Sequence, residues 1–186
     1  MNTTNKKMIN LDEIINTRKH IRHITGFTNV IIYTKSGHTE QVYKKLKEAS
    51  SKKPFKVFLK KDIPDYFHIK NNDRMGDILL LPNPGWTVSN KLWSTPSIEG
   101  TFERGEHGYS NQRREMSSWF VARGPGLKSG VHTKCIETVD VYVLMCYLLN
   151  ITPLKHDGHV KRVSSFLKDF PVTDDETLGE NSRDAC

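Results

Sequence analysis

Apolar residues recur along this chain with two periods, and the changes of period mark its elements. Asn29 to Tyr33 (NVIIY) is a β-branched run that enters a Ser36-Gly37 turn, as a strand does at its exit. Thr39 to Ala49 then places Val42, Tyr43, Leu46 and Ala49 at helical spacing with lysines opposite, predicting an amphipathic helix capped by Thr39. Phe55 to Leu59 (FKVFL) reads as a partly buried strand. Asp77 to Leu81 (DILLL), stopped by Pro82, Pro84 and Gly85, predicts a strand buried on both faces of a parallel or mixed sheet. Trp119 to Ala122 (WFVA), closed by Gly124-Pro125-Gly126, is a further short strand of the buried type. Two helices follow. Thr138 to Leu149 is strongly apolar, with Thr138 as cap and Asp140 in the first turn, where its charge suits the helix dipole. Val160 to about Lys168 carries Val160, Val163, Phe166 and Leu167 on one face.

Between these elements the pattern is weaker. Met8 to Ile24 has no clean period and predicts a short strand or a helix start. Asp62 to His68 reads as an irregular, tightly packed connection, and Pro82 to Ser117 has no periodicity. Loops beyond about 12–15 residues are usually functional or disordered. After Pro171 the chain turns acidic and loses its apolar content, so residues 171–186 read as a disordered tail. Strands alternating with helices predict a layered α/β arrangement. So few strands read as an incomplete sheet with flanking helices, the C-terminal portion of a larger α/β domain.

Composition narrows this only a little. The 186 residues are 36% hydrophobic and 26% charged, enough for a packed core and about one domain or a piece of one. A net charge of +7 favours anionic partners without choosing among them. Cys135, Cys146 and Cys186 have no Cys-x-x-Cys spacing, which excludes a zinc ribbon or thioredoxin-like motif, and their odd count leaves a thiol over. The N-terminus has no apolar run of signal-peptide length, and Val141 to Leu149 is about half of a membrane span.

Candidate chemistry centres on Gly105-Glu106-His107-Gly108-Tyr109. Flanking glycines let the backbone turn sharply beside an imidazole, a common zinc ligand, although spacing alone favours an exposed loop histidine. No second ligand type follows at i+2 to i+4, so other ligands must come from distant sequence. His20 and His23 have the i, i+3 spacing of a helical chelate, but Arg18, Lys19 and Arg22 disfavour a divalent cation there. His68 lies among aromatics and reads as packed; His38, His132, His156 and His159 fall in turn sequence and read as exposed. No phosphate loop, nucleophile elbow or carboxylate pair stands out. Lys44, Lys45, Lys47, Lys52 and Lys53 form a basic stretch without stacking aromatics, a solvated face rather than a nucleic-acid motif.

Four ordered stretches together resemble the ectonucleotide pyrophosphatase/phosphodiesterases of the alkaline phosphatase superfamily. They are Leu59 to Trp86 (LKKDIPDYFHIKNNDRMGDILLLPNPGW), Gly105 to Asn111 (GEHGYSN), Met116 to Gly130 (MSSWFVARGPGLKSG) and Val139 to Gly158 (VDVYVLMCYLLNITPLKHDG). With the helix at Val42 to Leu46 the resemblance spans about residues 9 to 168. Residues 1–170 are thereby expected to be the C-terminal part of a phosphodiesterase-type catalytic domain. Ser110 stands where the family commonly has Asp or Asn, and Lys155-His156-Asp157-Gly158 replaces its usual Pro-Asn-Asn-Gly.

The resemblance implies an alkaline-phosphatase-like fold, two zinc ions and a Thr nucleophile that forms a covalent phosphoryl intermediate. It implies that His107, by its place in the HGY motif, binds the zinc that does not carry the Thr. The nucleophile, the metal-binding Asp residues and two other His ligands of the family fall N-terminal to the matched region. One His cannot hold a catalytic zinc, which needs about three protein ligands, so this chain alone is expected to be inactive. The family acts on nucleotide or other phosphodiester small molecules and is extracellular or at the cell surface, where the sequons at Asn2 and Asn150 could be glycosylated. The alternative is a truncated, non-catalytic protein that binds anionic ligands through its basic surface.

Overall fold

Alternation of buried and outward positions along Val30–Thr34 and Phe55–Leu59 is what a sheet with one face on a core produces. The computed structural model describes residues 7–92, 105–133 and 135–170, and the chain divides into two units between Ser117 and Ser118. In the first unit the strands are β1 (Met8–Asn10), β2 (Ile21–Thr25), β3 (Val30–Thr34), β4 (Phe55–Leu59), β5 (Ile78–Pro82) and β6 (Thr87–Ser89). Four of them form one sheet in the order β2-β3-β5-β4, antiparallel throughout, and β1 pairs parallel with β6 in a separate ladder.

The helices of this unit are α1 (Thr17–His20) and α2 (Thr39–Ala49). One face of the sheet, with Val30, Ile32, Phe55, Val57, Ile78 and Leu80, packs in a core with Val42 and Leu46 of α2. The other face buries Leu79 and Leu81 with Ile63 and Met75. Strand β5 is therefore buried along its whole length, as its unbroken apolar run predicts. Its partners are both antiparallel, not parallel: α2 carries the chain across from β3 to β4, which run the same way, and β5 returns between them in the opposite direction. The ambiguous segment from Met8 to Ile24 resolves into β1, a 3-10 turn, α1 and most of β2. Helix α2 has the predicted limits, but His38 occupies its N-cap without a side-chain bond, while the Thr39 hydroxyl pairs with that of Thr34 at 2.6 Å.

The second unit is built on α3 (Asp140–Leu148) and α4 (Val160–Ser164), with Leu127, Leu144, Val163, Phe166 and Leu167 forming its core. Leu127 and Leu167 form an antiparallel bridge that continues where α4 stops, so the chain from Ser165 to Lys168 is not helical as its spacing predicts. Thr138 is not the cap of α3. Asp140, fully buried, holds that corner: its carboxylate accepts from the Glu137 and His159 amides, both at 2.8 Å, and from Arg162 Nε and Nη2 at 2.7 and 2.8 Å. Gly158 closes against it. A Cβ there would stand 2.4 Å from the Val139 carbonyl oxygen, so only glycine fits.

Trp119 to Ala122 departs furthest from its pattern. The segment is irregular, and Trp119 is 86% exposed, because no strand among the described residues of this unit is there to pair with it. The sequon at Asn2 and the acidic tail lie outside the described residues, as does 93–104 within the aperiodic stretch. Among the described residues no helix is long and apolar enough to cross a membrane.

Candidate functional site

Three tethers hold the loop that carries His107 against the first unit. The Thr28 hydroxyl donates to the His107 carbonyl at 2.6 Å, and Thr28 is itself buried in the turn between β2 and β3. Gly108, next along, has φ +88°, and a Cβ on it would lie 2.9 Å from the Thr28 oxygen. Glycine is required there both by the backbone angle and by the close approach. Tyr109 inserts its ring, 5% exposed, and Asn111 Nδ2 donates to the Tyr66 carbonyl at 3.3 Å. Burial is the main cause raising the Tyr109 phenol pKa, with Glu106 adding to it and the Gly85 backbone opposing; the oxygen has no partner in hydrogen-bond geometry.

The anchor fixes where the loop lies. Thr28 stands two residues before Val30, which pairs with Leu80, so the His107 carbonyl is held at the carboxyl end of β5. The His107 side chain is exposed rather than packed against aliphatic residues. Among the described residues no three His, Cys, Asp or Glu side chains gather into a group that could hold a metal. His107 is thus an exposed donor on a backbone that Thr28 holds in place. Thr28 has no motif of its own; only the 79-residue contact with His107 reveals its part.

The remaining histidines are arranged differently from their spacing. His20 and His23 do not share a helix face: His20 ends α1 and is buried, and His23 is exposed on β2 against the Tyr33 ring, 5.6 Å between centroids. A four-residue helix followed at once by a strand turns the two side chains apart. His38, read as exposed, is half-buried against His20. His68, read as packed, is exposed in left-handed backbone after a 3-10 turn. His156 accepts from the Gly158 amide at 3.1 Å in the second unit. On α2 the lysines alternate with Glu40 and Glu48 at i, i+4 to Lys44, the pattern of a solvated helix face.

The family profile described as type I phosphodiesterase / nucleotide pyrophosphatase matches residues 1–110, which include β1 to β6 and the His107 loop. Ectonucleotide pyrophosphatase/phosphodiesterase family member 7 of Rattus norvegicus is 37% identical over 131 residues, 70% of this chain and 28% of the relative. A bis(5'-adenosyl)-triphosphatase of Homo sapiens is 32% identical over 163 residues, 88% of this chain and 34% of its own length. The solved structure of human ectonucleotide pyrophosphatase / phosphodiesterase 5 superposes with a TM-score of 0.78 at 27% identity, covering 90% of this chain and 42% of that one. An inactive murine form of the same protein, in complex with AMP, gives 0.78 at 29% identity over 90% and 42% of the two chains. The chain spans about a third of the length of these two relatives. Its open-sheet α/β fold is that of an alkaline-phosphatase-like domain, and the chain belongs to the type I phosphodiesterase / nucleotide pyrophosphatase family.

Proposed function

We propose that this chain forms the C-terminal part of a zinc-dependent phosphodiesterase or nucleotide pyrophosphatase domain, to which it contributes one metal ligand, His107. The observation that carries this reading is the seating of the GEHGYSN loop: a buried Thr28 hydroxyl and a close-packed Gly108 fix the backbone, and the imidazole is left exposed beside the end of a buried strand. A rigid backbone under an exposed donor is what an ion shared with other residues requires. Zinc there supplies Lewis-acid stabilisation of a phosphoryl oxygen and lowers the pKa of a hydroxyl nucleophile. His107 would hold the ion through a ring nitrogen, with Thr28 fixing the loop backbone and the buried Tyr109 anchoring it two residues on. The nucleophile and the other ligands come from polypeptide beyond these residues. The substrate class is a nucleotide or related phosphodiester; support comes from the triphosphatase relative and from AMP bound in the murine neighbour. Placement outside the cell, with Asn150 as a glycan acceptor, is supported by the "ecto" names of the relatives and by the exposure of Asn150.

In the intact protein, His107→Ala lowers both bound zinc and phosphodiester hydrolysis by more than about tenfold, since even outer-shell changes at metal sites cost about 10–100-fold. Zinc by elemental analysis and turnover of a nitrophenyl phosphodiester measure the two, and thermal unfolding stays at the wild-type midpoint. Full zinc content and full turnover in His107→Ala contradict the assignment.

A further inference from the structure

Away from the His107 loop, two histidines 18 positions apart meet at a junction of four elements. His20 ends α1, immediately before β2, and is only 5% exposed; His38 is the N-cap of α2, after the turn that leaves β3. Their Nδ1 atoms lie 2.8 Å apart and their rings 4.9 Å apart. One nitrogen must carry the proton and the other must accept it, so the bond exists only while at least one ring is neutral. The same junction is closed by backbone bonds, Lys35 N to the His20 carbonyl at 2.9 Å and Val42 N to the His38 carbonyl at 3.0 Å.

We propose that the His20–His38 bond is an acid-sensitive clamp, which holds the N-terminus of α2 to the α1–β2 corner at neutral pH and opens when both rings are protonated. The groups acting on His20 are of one sign: His38 itself, Lys19 on α1, Lys35 in the turn after β3 and Lys45 on α2. Lys35 is drawn in further by its own bond to the Arg18 carbonyl at 2.8 Å. The acids of the adjoining elements are otherwise placed: Asp77, just ahead of β5, accepts from the Thr34 amide and hydroxyl, and Glu40 is exposed on the first turn of α2. His38 also sits at the positive end of an 11-residue helix, where a second cation is unfavourable. His38 is half-exposed and free to swing to water; His20 is not. Burial first, and then these neighbours, hold the His20 pKa below its ordinary value. A base whose folded pKa is lowered contributes stability that is complete above the unfolded value of about 6.5 and is lost as pH falls toward the folded value.

Hydrogen exchange of the whole chain, corrected for the intrinsic pH dependence of the chemistry, reads the clamp directly. Between pH 7.5 and 5.5 the peptides spanning 17–46 lose protection, by up to about tenfold per pH unit for one proton of difference, while the β4–β5 peptides hold theirs. His38→Gln and His38→Leu, neither of which can take up a proton, reduce that pH dependence without abolishing it, since the burial of His20 remains. In parallel, NMR of the wild type shows His20 protonating below the ordinary histidine range. Flat protection in the wild type, an ordinary midpoint for His20, or an unchanged pH loss in both variants overturns the proposal.

Discussion

Asp140 shows how far one residue's chemistry outruns its sequence neighbourhood. Its position in the first turn of α3 suggests a dipole partner, yet its carboxylate receives two backbone amides and both arms of Arg162, which lies 22 positions away on α4. Burial alone would raise its pKa. The Arg162 hydrogen bonds and the two amides outweigh it, and the carboxyl titrates below the usual range. A carboxylate with a depressed folded pKa contributes stability that is complete above the unfolded value of about 3.9 and fades as pH falls through the lower folded value. Asp140→Asn therefore lowers the stability of the second unit at neutral pH by about 2 kcal/mol, the cost of losing hydrogen bonds to a charged acceptor whose Arg162 partner is part-exposed, and removes this part of the acid loss below pH 4. Hydrogen exchange of the α3 and α4 peptides, followed against denaturant at pH 7 and pH 3, measures both. A variant as stable as wild type at pH 7 contradicts the pairing. The HGY motif was legible as residues, but the support beneath it was not, because a threonine hydroxyl 79 positions upstream leaves no periodic or spacing signal. The His20–His38 bond escaped for the same reason.

At the scale of elements, those whose apolar face meets a core of their own unit read correctly, and the apolar run at Trp119 did not. Strand β4 and helix α2 have the limits that their apolar spacing predicts, since one face of each meets a core made by this unit's own residues. Strand β5 was recognised as buried, though an apolar run carries no sign of strand direction and its antiparallel pairing came only with the structure. The run at Trp119 to Val121 is as apolar as β5 and lies open to solvent instead. Val139, Tyr142, Met145, Leu149, Ile151 and Leu154 are exposed in the same unit. So much uncovered apolar surface predicts that the chain binds an apolar dye while still cooperatively folded in its first unit. Trp119→Lys combined with Val121→Thr lowers that fluorescence and leaves helical circular dichroism unchanged. Dye fluorescence no higher than that of a fully packed protein of this size contradicts the exposure.

Over the whole molecule, two units and the family membership are consistent with the proposal that the chain is one part of a catalytic domain. The chain accounts for 42% of the human neighbour of known structure, places one exposed histidine on a rigid loop, and gathers no group of three metal-ligand side chains among its described residues. Fold class was legible because alternating strands and helices report layer architecture. Composition and periodicity carried no sign of an activity, and the functional reading came only through the ordered motifs of the family resemblance. The central claim is that a longer polypeptide completes the site that His107 joins. Sequencing the transcripts that encode this chain, from their 5' ends, tests it most directly: the account predicts in-frame codons before Met1 specifying a Thr nucleophile with Asp and His metal ligands, and an in-frame stop directly upstream in every transcript would contradict it.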